Sequence, residues 1–252
     1  MPTVPTSRPT GPRTSAIGDT QLSLRDRVYV ELRERIIEGR YPAGLRLVER
    51  ELAEELGVSR VPVREAMQRL EAERFLTVQA RRGAVVADFG PADAEHLFDV
   101  RENLEELAAG LAARRRDPAG LRTLAQLLGR TRRASAAGRL RDVVNLNADF
   151  HRAVAEASGN PVLIDLMAPL DSRLRRLFHL TSVPDDAGPM CGEHERLHEA
   201  IGAGDEEAAR ALARAHVAGT RAAALALLAA HARTDGAGPA PDGAADPGPD
   251  PA

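Results

Sequence analysis

Between Glu49 and Gln68 the chain reads ERELAEELGVSRVPVREAMQ, and two small residues four positions apart limit what it can become. A tight pair of helices needs a small side chain where the two cross, and Ala53 supplies it. The turn needs a residue at ease with positive φ, and Gly57 supplies that. The second helix then needs an apolar inward face, which Val58, Val63, Ala66, Met67 and Leu70 provide. This leaves Arg60, Val61, Arg64 and Gln68 outward, where arginines can pair with guanine edges or hold phosphates in a major groove.

The flanks strengthen this pattern. A helix is expected over 24–38, with Val28, Leu32 and Ile36 on one face. Gly39 and the Tyr41–Gly44 turn end it. After the helix over 49–56, Ser59 is expected to cap a third helix running to about Arg74, with Pro62 tolerated in its first turn. Two short strand-like runs, 76–78 and 84–87, follow as a hairpin whose connection carries Arg81, Arg82 and Gly83. An ordinary helical hairpin with solvated arginines is the plainer alternative. The preceding helix and the arginine-tipped wing favour a winged helix-turn-helix instead. Charge alone does not decide it. The whole chain has a net charge of −3, and residues 21–89 hold 13 Arg against 12 acidic residues. Double-stranded DNA would have to be met by placement, with Arg46, Arg50, Arg60, Arg64, Arg81 and Arg82 on one face. All 34 basic residues of the chain are arginine, a bias that carries no functional weight here.

From Pro91 onward no strand pattern remains. Helices are expected at roughly 91–116, 118–137, 140–157, 160–182, 189–203 and 205–231, with Leu97, Leu104, Leu107 and Leu111 as the core stripe of the first. Short connections between six helices imply an antiparallel bundle. Aromatic residues make up only 3% of the chain and Trp is absent, so the core must rest on aliphatic side chains and alanine. The expected fold is mainly α, in four parts: a disordered arm (1–20), a winged helix-turn-helix of three helices and a two-stranded wing (21–89), an all-α bundle (90–233) and a disordered acidic tail (234–252). Cys191 is the only cysteine, so no intrachain disulfide can form. No signal-like segment or membrane-spanning run is visible, which makes the cytoplasm the expected compartment.

Seven histidines fall in the helical part. His194 and His216 lie nearly equidistant from the turn near Ala203–Asp205, so they should meet across an antiparallel pair. His198 would face about Leu212, without a polar partner. Asn147 and His151 are four apart and share a helix face; Asp149 points elsewhere. Three imidazoles and a side-chain oxygen make a site for a divalent metal such as Zn²⁺, with ligands that are all neutral. The alternative is a polar cavity that binds an acid directly.

The runs LRERIIEGRYPAGLRLVERELAEELGVSRVPVREAMQRLEAERFLTV, LFDVRENLEELAAGLAA, DFHRAVAEASGNP and EHERLHEAIGAGDEEAARALARAH together resemble the GntR family of bacterial regulators, in the FadR-like branch with an FCD ligand-binding domain. The resemblance covers about residues 22–230. It implies a homodimer, a DNA operator with two-fold character and a small carboxylic acid as effector. It also implies that Arg50, Arg60 and Arg64 contact DNA and that Gly83 lets the wing approach the minor groove. Metal-binding members are similar at His151, His194 and His216, but Asn147 stands where an Asp is usual. Arg101 matches a position that often holds an effector carboxylate; a salt bridge to Glu105 is the alternative. Arg74 stands where the family commonly has Gly, so it must avoid positive φ or bear its strain.

The expected protein is a transcription regulator, with repression the expected sense. A metal-dependent enzyme is one alternative, although no H-E-x-x-H or nucleophile elbow occurs. A constitutive DNA binder with a vestigial pocket is the other.

Overall fold

The computed structural model describes residues 22–79, 83–181 and 187–236. The expected arm, the wing-tip residues Arg81 and Arg82, and all of the acidic tail beyond Gly236 lie outside them.

The N-terminal part holds α1 (Leu24–Ile37), α2 (Glu49–Leu56), α3 (Arg60–Ala72), β1 (Leu76–Gln79) and β2 (Gly83–Val86). Ser23 starts α1 by accepting a hydrogen bond from the Asp26 amide. Gly57 ends α2 in the left-handed conformation, φ 64°, and lets Val58 N–H bond back to Ala53 O. The strands pair antiparallel with Leu76 opposite Val86, and Arg46 adds a bridge to Val85. Val28, Leu32, Ile36, Val63, Leu70, Phe75 and Val86 close one apolar core. Arg74 does take positive φ, at 62°. A non-glycine residue there carries strain of about 1–2 kcal/mol, which the Phe75 ring, buried in the core, holds in place.

The C-terminal part is α4 (Pro91–Arg115), α5 (Pro118–Ala136), α6 (Leu140–Ser158), α7 (Pro161–Thr181), α8 (Ala187–Ala203) and α9 (Glu206–Gly236). Their faces meet in an alanine-rich core, with Ala108, Ala109, Ala112 and Ala113 of α4 near Ala209 and Ala213 of α9. The expected leucine stripe is therefore only partly right. Leu97 is buried and Leu104 and Leu111 are half-buried, but Leu107 is 36% exposed. Small alanines let α9 approach α4 closely, so the inward face turns toward them. That buried face also carries Arg101 and Glu105. Among the described residues, no helix is long and apolar enough to cross a membrane.

Candidate DNA-reading face and candidate metal centre

Two groups of residues stand out from the bare fold. The first is a concave surface formed by α2, α3 and the wing. Arg46, Arg50, Arg60, Arg64, Gln68 and Gly83 all line it. Ser59 and Val61 are exposed at the start of α3, Val61 by 61%. Ser59 occupies the N-cap position, but its side chain makes no capping hydrogen bond, contrary to expectation. Its ψ of 165° fits a cap, yet its hydroxyl remains free to donate to a phosphate. Arg64 is not free: Nε and Nη2 grip Glu49 at 3.0 and 2.9 Å, and Arg60 approaches the same carboxylate at 3.7 Å. Glu49 was not among the residues singled out from the sequence. Its position next to Arg50 was the only available signal.

The second group sits inside the helical bundle. Asn147 and His151 project from α6, His194 from α8 and His216 from α9, and all four are buried. The Nε2 atoms of His194 and His216 are 3.4 Å apart, and those of His216 and His151 are 3.2 Å apart. Behind them, His151 Nδ1–H donates to Glu105 at 2.9 Å and His216 Nδ1–H donates to Glu193 at 2.7 Å. With the protons held on Nδ1, both Nε2 atoms present lone pairs to each other. Phe150 stacks on His194 at 4.2 Å and fixes that ring.

This arrangement fits a cation. Ligands held at about 2.0–2.1 Å around a tetrahedral ion lie about 3.3–3.4 Å apart, close to the separations seen here. The Asn147 side-chain oxygen is buried without any hydrogen-bond partner, as expected of a fourth metal ligand. Burial pushes His151 down to about 4, with Arg101 adding to the effect against Glu105. His194 is driven well below its ordinary value by burial and by its two histidine neighbours. Neutral imidazoles are the form that binds metal. Burial alone would raise Glu105, but the Arg101 guanidinium and the hydrogen bonds from Arg101 and His151 outweigh it and hold the carboxyl well below the usual range.

Behind two of the candidate imidazoles, Glu105 and Glu193 lend negative charge. Glu193 escaped notice because it immediately precedes His194 yet serves His216. His198 does find a polar partner, the Leu121 carbonyl at 3.2 Å, because it turns toward α5 rather than α9. Asp149 does face away, pairing with Arg152.

Arg101, 1% exposed, forms the salt bridge to Glu105 that was one of the two readings offered for it. Nε donates to Glu105 at 2.5 Å and Nη2 to His151 Nε2 at 3.1 Å, while buried Nη1 has no partner. The guanidinium is thus held by one carboxylate with a donor to spare.

A model of the bacterial regulatory proteins of the gntR family matches residues 24–86, and a model of the FCD domain matches residues 96–219. The chain is 30% identical over 190 residues to the uncharacterized HTH-type transcriptional regulator YdhC of Bacillus subtilis, spanning 75% of this chain and 85% of that one. It is 31% identical over 212 residues to the galactonate operon transcriptional repressor of Escherichia coli, spanning 75% and 91%. The solved structure of E. coli McbR/YncC superposes with a TM-score of 0.72 at 26% identity, covering 84% of this chain and all of that one. A putative GntR regulator from Rhodococcus sp. RHA1 gives 0.68 at 30% identity, covering 80% and 97%. With a three-helix winged domain, a six-helix C-terminal domain and relatives that are regulators rather than enzymes, the chain belongs to the gntR family of DNA-binding transcription regulators with an FCD domain.

Proposed function

We propose that the protein is a homodimeric repressor that binds its operator through the winged domain and releases it when a small organic acid enters the FCD domain beside a bound divalent metal. In this reading Arg46, Arg50, Ser59, Arg60, Val61, Arg64 and Gln68 meet the major groove and its phosphates, and Arg82 and Gly83 bring the wing to the minor groove. Operator binding makes the cytoplasm its place of work. A single winged domain covers too little DNA to read a long site alone, which argues for two copies joined through the helical domains. A sedimentation profile showing only monomer in the presence of operator would contradict that.

The observation that carries the sensing half is the convergence of three buried imidazole Nε2 atoms, with a buried, unpartnered Asn147 oxygen one helical turn from His151. Asn147, His151, His194 and His216 would hold the metal, with Zn²⁺ suited to a site of this kind. Such a cation supplies a positive locus for an oxygen anion. Arg101 contributes from the side: once the His151 lone pair is taken, Nη2 loses its acceptor, and both terminal nitrogens then suit a carboxylate. The repressor sense is supported by the name of the galactonate operon relative.

Calorimetric titration of Zn²⁺ into chelator-stripped protein, followed by a DNA mobility shift with and without acid, tests this reading. Micromolar or tighter Zn²⁺ binding that is lost in His194→Ala is expected. Undiminished binding in that variant would leave a direct hydrogen-bonding pocket as the better account.

A further inference from the structure

The cavity that adjoins this centre constrains the body of the acid as well as its charged end. It lies between α4, α6 and α7, holds about 70 Å³ of free space, and reaches Arg101, Glu105 and His151 at its inner end. That is below the usual range of small-molecule sites, so the body it admits must be compact. Its walls are Leu104, Ala155, Ile164, Met167, Leu170 and Leu174, and almost all of their exposed surface is carbon.

Polar groups occur only at the two ends. At the inner end Arg101 offers the buried, unpartnered Nη1 donor, which a carboxylate oxygen would satisfy. At the mouth stand Arg152, Glu156 and Asp171. Arg152 is already engaged by Asp149 and, at 3.6 Å, by Asp171. A second carboxylate arriving there would meet two acids and a shared arginine. The hydroxyls of a sugar acid would lose water against the aliphatic walls and gain no partner.

We infer that the effector is a monocarboxylic acid with a compact apolar body, branched aliphatic or aromatic, bound with its carboxylate inward on Arg101 and its hydrocarbon between α6 and α7. This rests on the acid-sensing reading above and narrows it. It sets the protein apart from any relative tuned to polyhydroxy acids, because the walls provide no hydrogen-bonding group to read a hydroxyl.

The experiment is a calorimetric titration of the full-length protein, Zn²⁺-equilibrated and chelator-stripped, with isovalerate, hexanoate, benzoate, gluconate, citrate and 1-hexanol. At least one of the three apolar acids should bind about tenfold or more tighter than gluconate and citrate, and 1-hexanol should not saturate. Met167→Gln, which keeps the side-chain length but puts an amide in the wall, should weaken that acid by about tenfold and leave Zn²⁺ binding unchanged. Gluconate or citrate binding as tightly as the apolar acids overturns the inference while leaving the acid-sensing reading intact. Binding of 1-hexanol equal to hexanoate overturns it by removing the carboxylate anchor. If no acid binds to either form, the inference falls together with the reading beneath it.

Discussion

Arg175 of α7 grips Glu34 of α1 with both terminal nitrogens, at 2.9 and 2.7 Å, and one of them also donates to Asn145 of α6 at 3.0 Å. The winged domain is thereby tied to the helix that carries Asn147 and His151. The next residue, Arg176, donates to the Ala87 carbonyl just beyond the wing. One turn earlier, Leu170, Asp171 and Leu174 of the same helix line the cavity. Pro169 lies inside α7, just ahead of both, and removes a backbone donor there.

A ligand that moves α7 therefore pulls on the winged domain through Arg175. Arg175→Ala is expected to leave both domains folded and operator binding present, but to reduce the acid-induced loss of DNA affinity several-fold. Mobility shifts across an acid titration measure this. An unchanged acid response would rule out the bridge as the route between the domains.

Glu49 holds Arg64 in the free protein, so DNA must displace a carboxylate to reach the arginine. Arg64→Ala should abolish specific operator binding with an unchanged circular dichroism spectrum, since the side chain packs on no core. A bidentate base contact is worth about 1–3 kcal/mol of discrimination. Glu49→Gln should do the reverse for non-specific DNA, raising affinity at low salt by freeing Arg60 and Arg64. Tighter operator binding without any rise in non-specific affinity would argue that Glu49 orients the arginines instead of competing for them.

Asn147→Asp adds an anion to the candidate metal set and should tighten Zn²⁺ binding. It should also weaken the positive coupling between metal and acid, because part of the cation's charge is already neutralised; that coupling is reciprocal. Glu105 and Glu193 already withdraw some of this charge, so the loss of coupling should be partial. Paired calorimetric titrations, acid with and without Zn²⁺ in each protein, read both quantities. Stronger coupling in the variant would contradict this charge argument.

Acidification should destabilise the metal-free protein. His151 is depressed to about 4 and His194 is also lowered, both first by burial, whereas the unfolded chain protonates near 6.5. Below that value the unfolded state binds more protons, so the stabilising contribution is complete above pH 6.5 and is lost as pH falls toward 4. Glu105 acts in the same direction at still lower pH. His151 is expected to remove about 1.5 kcal/mol between pH 6.5 and 5, and His194 acts in the same direction. Urea unfolding of chelator-stripped wild type and His151→Gln at pH 7 and pH 5 measures it. The variant should lose less stability than wild type over that interval.

Local chemistry in the sequence determined a great deal. Breaking residues such as Gly39, Gly57 and the turn near Ala203–Asp205 placed helix ends to within a few residues, because backbone preferences act over one turn. Helical spacing put Asn147 beside His151, and the position of a single turn was enough to pair His194 with His216. What only the tertiary structure decided were choices made between elements. Alanine and leucine are both apolar, so periodicity could not tell that α4 would turn Ala108 and Ala112 inward and leave Leu107 exposed; close approach of α9 settled that. The Arg101–Glu105 pair was legible at one-turn spacing, but Glu193 and Glu49 look like ordinary solvated acids in one dimension, and each acquired its partner from a residue on a facing helix. The bond from Arg175 to Glu34 joins residues 141 positions apart. No local pattern encodes such a contact, because its energy exists only after two separately folded surfaces have come together.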